Sequence, residues 1–190
     1  MEIIDNRALL LQVRDPSRIT QVIPKSKLIE DNGSWAKVLV NWGLEESIVL
    51  KNLKIDAPSP ITARYNWPGL HKPFDHQKTT SAFLTMHRRA FCFNEQGTGK
   101  TASVIWAADY LMTQRFIKRV LVICPLSIME SAWRNDLFRF AMHRRVDVAY
   151  GSAEKRRNII NGDAEFVIIN FDGVEIVQDA IAKNMFDLIS

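Results

Sequence analysis

Between positions 95 and 101 the chain reads Glu95-Gln96-Gly97-Thr98-Gly99-Lys100-Thr101, which sets two glycines, an ammonium and a hydroxyl side by side. Glycine permits backbone angles that a side chain forbids, so Gly97 and Gly99 let successive N–H groups turn toward one anion. Lys100 adds a compact cation for the β- and γ-phosphates of a triphosphate, and Thr101 a hydroxyl for Mg²⁺. The strict form of this phosphate-binding pattern begins with glycine six residues before the lysine, where this chain has Asn94. The chemistry read from the run is therefore a grip on Mg²⁺-ATP, with Lys100 and Thr101 as the groups that act on the phosphates.

Such a loop works only if a sheet and a helix present it. The apolar residues Ala90-Phe91-Cys92-Phe93 predict a strand that enters the loop, and residues 100–114 predict a helix with Val104, Ile105, Ala108, Leu111 and Met112 on its inner side. That helix would aim its positive end at the same phosphates. Ahead of it, residues 74–87 read as a helix. Behind it, strands are expected at 120–124, 146–150, 166–169 and 186–189, and helices at 131–140, 153–161 and 174–183. Val120-Leu121-Val122-Ile123-Cys124 is apolar throughout, as in a strand covered on both faces. The alternation predicts an α/β lobe with a parallel sheet and helices on both faces.

Residues 8–13 and 37–42 read as strands and 45–53 as a helix, a small α+β appendage with no nameable chemistry. Pro58, Pro60, Pro68 and Gly69 then predict an extended connection. The expected division is an appendage at 1–56, a linker at 57–72 and the α/β lobe from 73 to 190.

Composition narrows the classes. With 47% hydrophobic and 24% charged residues the 190-residue chain is ordinary globular material. No apolar stretch reaches the roughly 20 residues of a transmembrane helix, and the N-terminus lacks the basic start and small-residue site of a signal peptide. Cys92 and Cys124 lie in apolar runs, which suits reduced thiols in a cytoplasmic protein. His71, His76, His87 and His143 have no ligand spacing, so no zinc is expected. Residues 1–63 carry 8 basic and 8 acidic side chains, whereas 64–190 carry 17 and 13, so the whole net charge of +4 lies in the second part. That excess is consistent with a nucleic-acid partner and gives no sign of a membrane one.

The loop from Asn94 to Thr101, with glycine at 97 and none at 94, resembles that of superfamily 2 helicases, above all the Swi/Snf-type branch. Three further stretches match that family in order. Pro73-Phe74-Asp75-His76-Gln77 is similar to the Q motif, which implies that Gln77 reads the adenine edge through its amide. Phe74, Trp67 and Tyr65 are candidates to stack on the base, Gln77 alone being otherwise a surface residue of a helix start. Val122-Ile123-Cys124-Pro125-Leu126-Ser127 is similar to motif Ia, which implies nucleic-acid contact by Pro125, Leu126 and Ser127; the alternative for Ser127 is a helix cap. Val167-Ile168-Ile169-Asn170-Phe171-Asp172 is similar to motif Ib, with Asn170 delivered to the same track. A Walker B reading of that strand fails, because Asn170 stands where an acid would anchor Mg²⁺.

The resemblance implies a RecA-like first lobe of an ATP-dependent DNA helicase or translocase, with Phe74, Gln77 and residues Asn94, Glu95, Gln96, Gly97, Thr98, Gly99, Lys100 and Thr101 around ATP. It also implies that the Asp-Glu pair of motif II and a second lobe follow Ser190. The chain reads as the front part of a core that binds ATP weakly and hydrolyses almost none by itself, of phage or bacterial origin. The partner is DNA, double- or single-stranded. Two alternatives stay open: another P-loop motor, such as a packaging motor or restriction translocase subunit, and a non-catalytic nucleic-acid-binding module. Arg144-Arg145 and Lys155-Arg156-Arg157 either line a phosphate track or are solvated helix ends.

Overall fold

Period-two patterning builds the first sheet. Leu9 and Leu11 alternate with half-buried and exposed neighbours on β2 (Ala8–Val13), and Val38 and Val40 do so on β4 (Ala36–Asn41). The computed structural model describes residues 1–190, which divide into two units: 1–65 with 82–90, and 66–81 with 91–190.

In the first unit β1 (Glu2–Ile4), β2, β3 (Lys27–Asp31) and β4 form an antiparallel sheet in the order β1-β2-β4-β3. One face is closed by Ile19 of α1 (Ser17–Thr20) and Leu50 of α2 (Leu44–Asn52), with Trp42 and Ala57 in the same core. β1 and β3 escaped the sequence because one has three residues and the other, Lys-Leu-Ile-Glu-Asp, is exposed along its length. Residues 57–65 fold into this unit. The Trp42 indole donates to the Pro58 carbonyl (2.9 Å), the Ser59 and Thr85 hydroxyls lie 2.7 Å apart, and α3 (Ile61–Arg64) begins on the fully buried Ile61.

The second unit holds the helices α4 (Asp75–Thr85, with its last turn counted in the first unit), α5 (Lys100–Thr113), α6 (Asn135–Phe140), α7 (Ala153–Ile160), α8 (Phe171–Ile176) and α9 (Gln178–Lys183). Its strands β5 (Val120–Cys124), β6 (Val146–Ala149), β7 (Phe166–Asn170) and β8 (Leu188–Ile189) form the expected parallel sheet, ordered β6-β7-β5-β8. Both faces are covered, which is why β5 and β7 read as unbroken apolar runs. On one face Val120, Val122, Phe166 and Ile168 pack with Ile105 and Ala108 of α5 and Leu137 of α6. On the other, Leu121, Val167 and Ile169 pack with Ile160 of α7 and Val177 and Ala180 around α9.

Three expected elements differ. Residues 90–93 form no strand: Phe91 and Phe93 are 82% and 89% exposed and stack on each other at 5.7 Å. Apolar composition makes a strand only where a ladder partner exists, and β8, at one edge of the sheet, is two residues long. The helix expected at 131–140 resolves into a 3₁₀ turn (Leu126–Ile128), a π-helical turn (Met129–Arg134) and α6. The helix expected at 174–183 is two short ones, broken at Val177, whose φ of −127° is not helical.

Candidate nucleotide site

The phosphate loop takes the shape that its glycines allow. Gly97 and Gly99 have φ of +80° and +77°, and Gly99 stands immediately before the first residue of α5. Both lie in the left-handed region that side chains avoid. Their reasons differ beyond the backbone. A Cβ on Gly97 would meet nothing within 4 Å, whereas one on Gly99 would sit 2.2 Å from Gln77 Nε2.

Gln77 is the hub of the site. Its Nε2 donates to the Thr98 carbonyl (3.1 Å), and its Oε1 accepts from the Phe74 amide (3.0 Å), capping the start of α4. It is 9% exposed. An amide offers two N–H groups and two lone pairs, so one donor and one acceptor remain for a base edge. His76, for which ligand spacing indicates no role, adds a second bond from the same turn: its Nε2 lies 3.0 Å from the Thr98 carbonyl, and its ring stacks on Phe74 at 5.7 Å. Phe74 is 70% exposed, so one ring face is free for a flat ligand. Trp67, the other candidate in this unit, is 7% exposed and packs edge-on against Trp106.

The lysine lies on the loop. Lys100 Nζ donates to the Asn94 and Glu95 carbonyls, both at 2.9 Å, and Thr98 Oγ1 donates to the same Glu95 carbonyl at 2.8 Å. Asn94, in the place of the leading glycine, ties the loop to α4 by donating from Nδ2 to Thr80 Oγ1 (2.8 Å). Ser81 carries the same link deeper, donating to the Ser103 carbonyl of α5 at 3.0 Å. Helix α4 and the loop-helix pair are thus joined through Gln77, Thr80 and Ser81, one turn apart on one helical face. Gln96 and Glu95 are exposed, and the half-buried Thr101 has its hydroxyl uncommitted.

These residues fit a triphosphate: two left-handed glycines, a helix start, a lysine within reach and a free hydroxyl. For Mg²⁺ the chain supplies the Thr101 hydroxyl, and no three His, Cys, Asp or Glu side chains come together as a metal site. Mg²⁺ bound through phosphates and water needs few protein ligands.

The remaining candidates lie at the carboxyl ends of the strands. Pro125, Leu126 and Ser127 follow β5 and are exposed. Asn170, which ends β7, is 6% exposed, and its Oδ1 accepts from Arg156 Nη1 at 2.9 Å. Of the basic clusters, Arg144 and Arg156 are drawn into the fold, while Arg145, Lys155 and Arg157 stay at least partly solvated. Arg144 bonds Asp109 and Glu165, Arg145 and Arg157 pair with Asp163 and Asp179, and Arg156 is 5% exposed.

Comparison with known proteins bears on the family and the fold. The model of the SNF2-related domain matches residues 70–189. Among solved structures, the SWI2/SNF2 ATPase core of Sulfolobus solfataricus in complex with dsDNA is similar, with a TM-score of 0.55 and 23% identity over 65% of this chain. The chain spans 26% of that Sulfolobus chain. No curated protein matches. The second unit has the fold of a RecA-like lobe, and the chain belongs to the SNF2-related domain family.

Proposed function

We propose that this chain is the ATP-binding portion of a DNA-dependent ATPase that translocates on duplex DNA. The observation that carries the reading is the loop itself: left-handed Gly97 and Gly99 ahead of α5, with Lys100 held only by two carbonyls of the same loop. Family membership supports ATP as the nucleotide. The Sulfolobus structure, solved with dsDNA, supports a duplex partner over strand separation.

Lys100 gives up the Asn94 and Glu95 carbonyls and pairs with the phosphates, exchanging neutral acceptors for charged ones. Gln77 holds Thr98 while its spare donor and acceptor read the base edge, and Phe74 covers the base face. Thr101 would be the protein ligand for Mg²⁺, which when bound would neutralise charge on the phosphates. Hydrolysis also needs acids that hold the metal and place water. None of the residues assigned to this site supplies those acids, so the expected behaviour of the chain alone is to bind ATP and release phosphate at background rate. Pro125, Leu126 and Ser127 face the DNA backbone from the end of β5.

Isothermal titration of the chain with Mg²⁺-ATP tests this. Hydrogen bonds to charged groups contribute about 1.5–3 kcal/mol each, so Lys100→Ala should weaken binding at least tenfold. Equal affinity in the two proteins would overturn the assignment of the loop. Rapid turnover by residues 1–190 would overturn the expected division of labour.

A further inference from the structure

Strand β3 ends the antiparallel sheet, with β4 on one side and no strand on the other. All five of its residues are exposed, Leu28 by 51% and Ile29 by 56%. Residues 27–31 make no backbone hydrogen bond outside the ladder with β4. A row of free N–H and C=O groups of this kind is a template for a further strand. The opposite edge, β1, offers only three residues.

A bulge decides what the β3 edge fits. Leu28 lies opposite Val38 and Glu30 opposite Lys37, so Ile29 has no counterpart on β4. Opposed residues of a ladder share a face. Lys27 lies opposite Leu39, two residues from Lys37, so Lys27 and Glu30 stand on one face of the sheet. In a strand without a bulge, residues three apart point to opposite faces. Leu28 shares the other face with the fully buried Val38, yet the core closed by α1 and α2 includes Val38 and not Leu28. The edge therefore presents two apolar residues at its middle, flanked by a cation and an anion on a common face.

We propose that β3 is a self-association edge, pairing antiparallel with β3 of a second copy of this chain about a two-fold axis between Leu28 and Ile29. In that register Lys27 of each copy stands opposite Glu30 of the other, and Leu28 opposite Ile29. Opposite charges meet on one face, and the exposed apolar pair is covered. Glu30 already holds Lys37 at 2.9 Å, so the new lysine extends an alternating row of charge across the junction. A slip of one residue would set Leu28 against Glu30, and Lys27 against Asp31, which shares the opposite face with Ala36. Residues 1–63 carry eight basic and eight acidic side chains, so two copies meet without net repulsion between these parts. The two-fold pair uses both β3 edges and closes at the dimer. A strand of five residues buries little surface, and the association is correspondingly weak.

Sedimentation velocity of the chain from about 5 to 500 µM, at low salt, tests it. The weight-average coefficient should rise toward that of a dimer, and hydrogen exchange at the amides of residues 27–31 should slow as concentration rises. Lys27→Glu and Glu30→Lys should each weaken self-association by about tenfold or more, because each sets like charges opposite one another twice. An equimolar mixture of the two variants should associate again, since the reversed charges then meet their opposites in both pairs. Both positions are exposed, so neither change reaches the core. A monomer at every concentration would leave the edge to a strand of another protein, or to none, and overturn the proposal. Association that survives either single reversal, a mixture that stays monomeric, or exchange at 27–31 indifferent to concentration would overturn it too. ATP titrations report on the proposed function separately, so either can fail without the other.

Discussion

Replacing Asp109 by alanine should lower the stability of the parallel-sheet unit by about 3 kcal/mol, the lower end of the range for breaking a buried ion pair from one side. Asp109 lies on α5, is 1% exposed, and accepts at Oδ1 from Arg144 Nε (2.5 Å) and His143 Nε2 (2.8 Å). Arg144 also donates to Glu165 (2.9 Å) and, through Nη2, to the Asp109 carbonyl (3.3 Å) and Thr113 Oγ1 (3.1 Å). The guanidinium thus fastens α5 to the start of β6 and to the residue before β7. Without Asp109 it keeps Glu165 and is 14% exposed, which places the cost at the low end. Hydrogen exchange on β5 and β7 measures it where the effect belongs, because denaturation of the whole chain would mix two units. Protection there should fall by a factor of about 10², and less for Asp109→Asn, which keeps an acceptor. Unchanged protection would mean that packing alone holds α5 in place.

The same network sets an acid limit. Burial pushes the Glu165 carboxyl up, but the Arg145 amide and the Arg144 guanidinium outweigh it, and the net shift is downward from 4.5. A carboxyl depressed in the folded state stabilises above its unfolded value and loses that contribution as pH falls through the folded one. Protection of β6 and β7 should therefore hold near neutrality and decline below about pH 4.5, close to the ordinary glutamate value. Glu165→Gln should flatten that decline.

The sequence made the second unit legible because its signals are local and redundant. An apolar run covered on both faces, as in Val120-Leu121-Val122-Ile123-Cys124, needs no knowledge of its partners. The glycine-lysine loop was equally plain, since only glycine suits φ near +80° at positions 97 and 99. What failed depends on partners. Phe91 and Phe93 have strand composition but no neighbouring ladder, and so lie exposed. Val177 has helical neighbours but closes one turn and opens another. Arg156 shows the limit most clearly: in a run with Lys155 and Arg157 it reads as a phosphate-track cation or a solvated helix end, and only the fold reveals that it is buried between two strand ends. The part played by His76 is invisible in the sequence, because the absence of ligand spacing says nothing of a bond to the Thr98 carbonyl.

Gly99→Ala should weaken ATP binding by about a hundredfold, against about tenfold for Gly97→Ala, although both residues hold nearly the same φ. The left-handed conformation costs a residue with Cβ about 1–2 kcal/mol, and that cost falls on both variants. Only at Gly99 does the new methyl also meet Gln77 Nε2, 2.2 Å away. Gln77 can swing aside, but it then releases the Thr98 carbonyl and the Phe74 amide, two bonds of about 1 kcal/mol each. The loop loses one of its ties to α4 in the same movement, and the amide proposed to read the base leaves its place. A double-mutant cycle separates the two causes. In a Gln77→Ala background the additional cost of Gly99→Ala should shrink to that of Gly97→Ala, a coupling of roughly 1–2 kcal/mol, since contacting residues are where additivity fails. Calorimetric ATP affinities of the four proteins decide it. If Gly99→Ala and Gly97→Ala prove equally harmful, or the cycle shows no coupling, backbone strain alone accounts for the second glycine and Gln77 is not its reason.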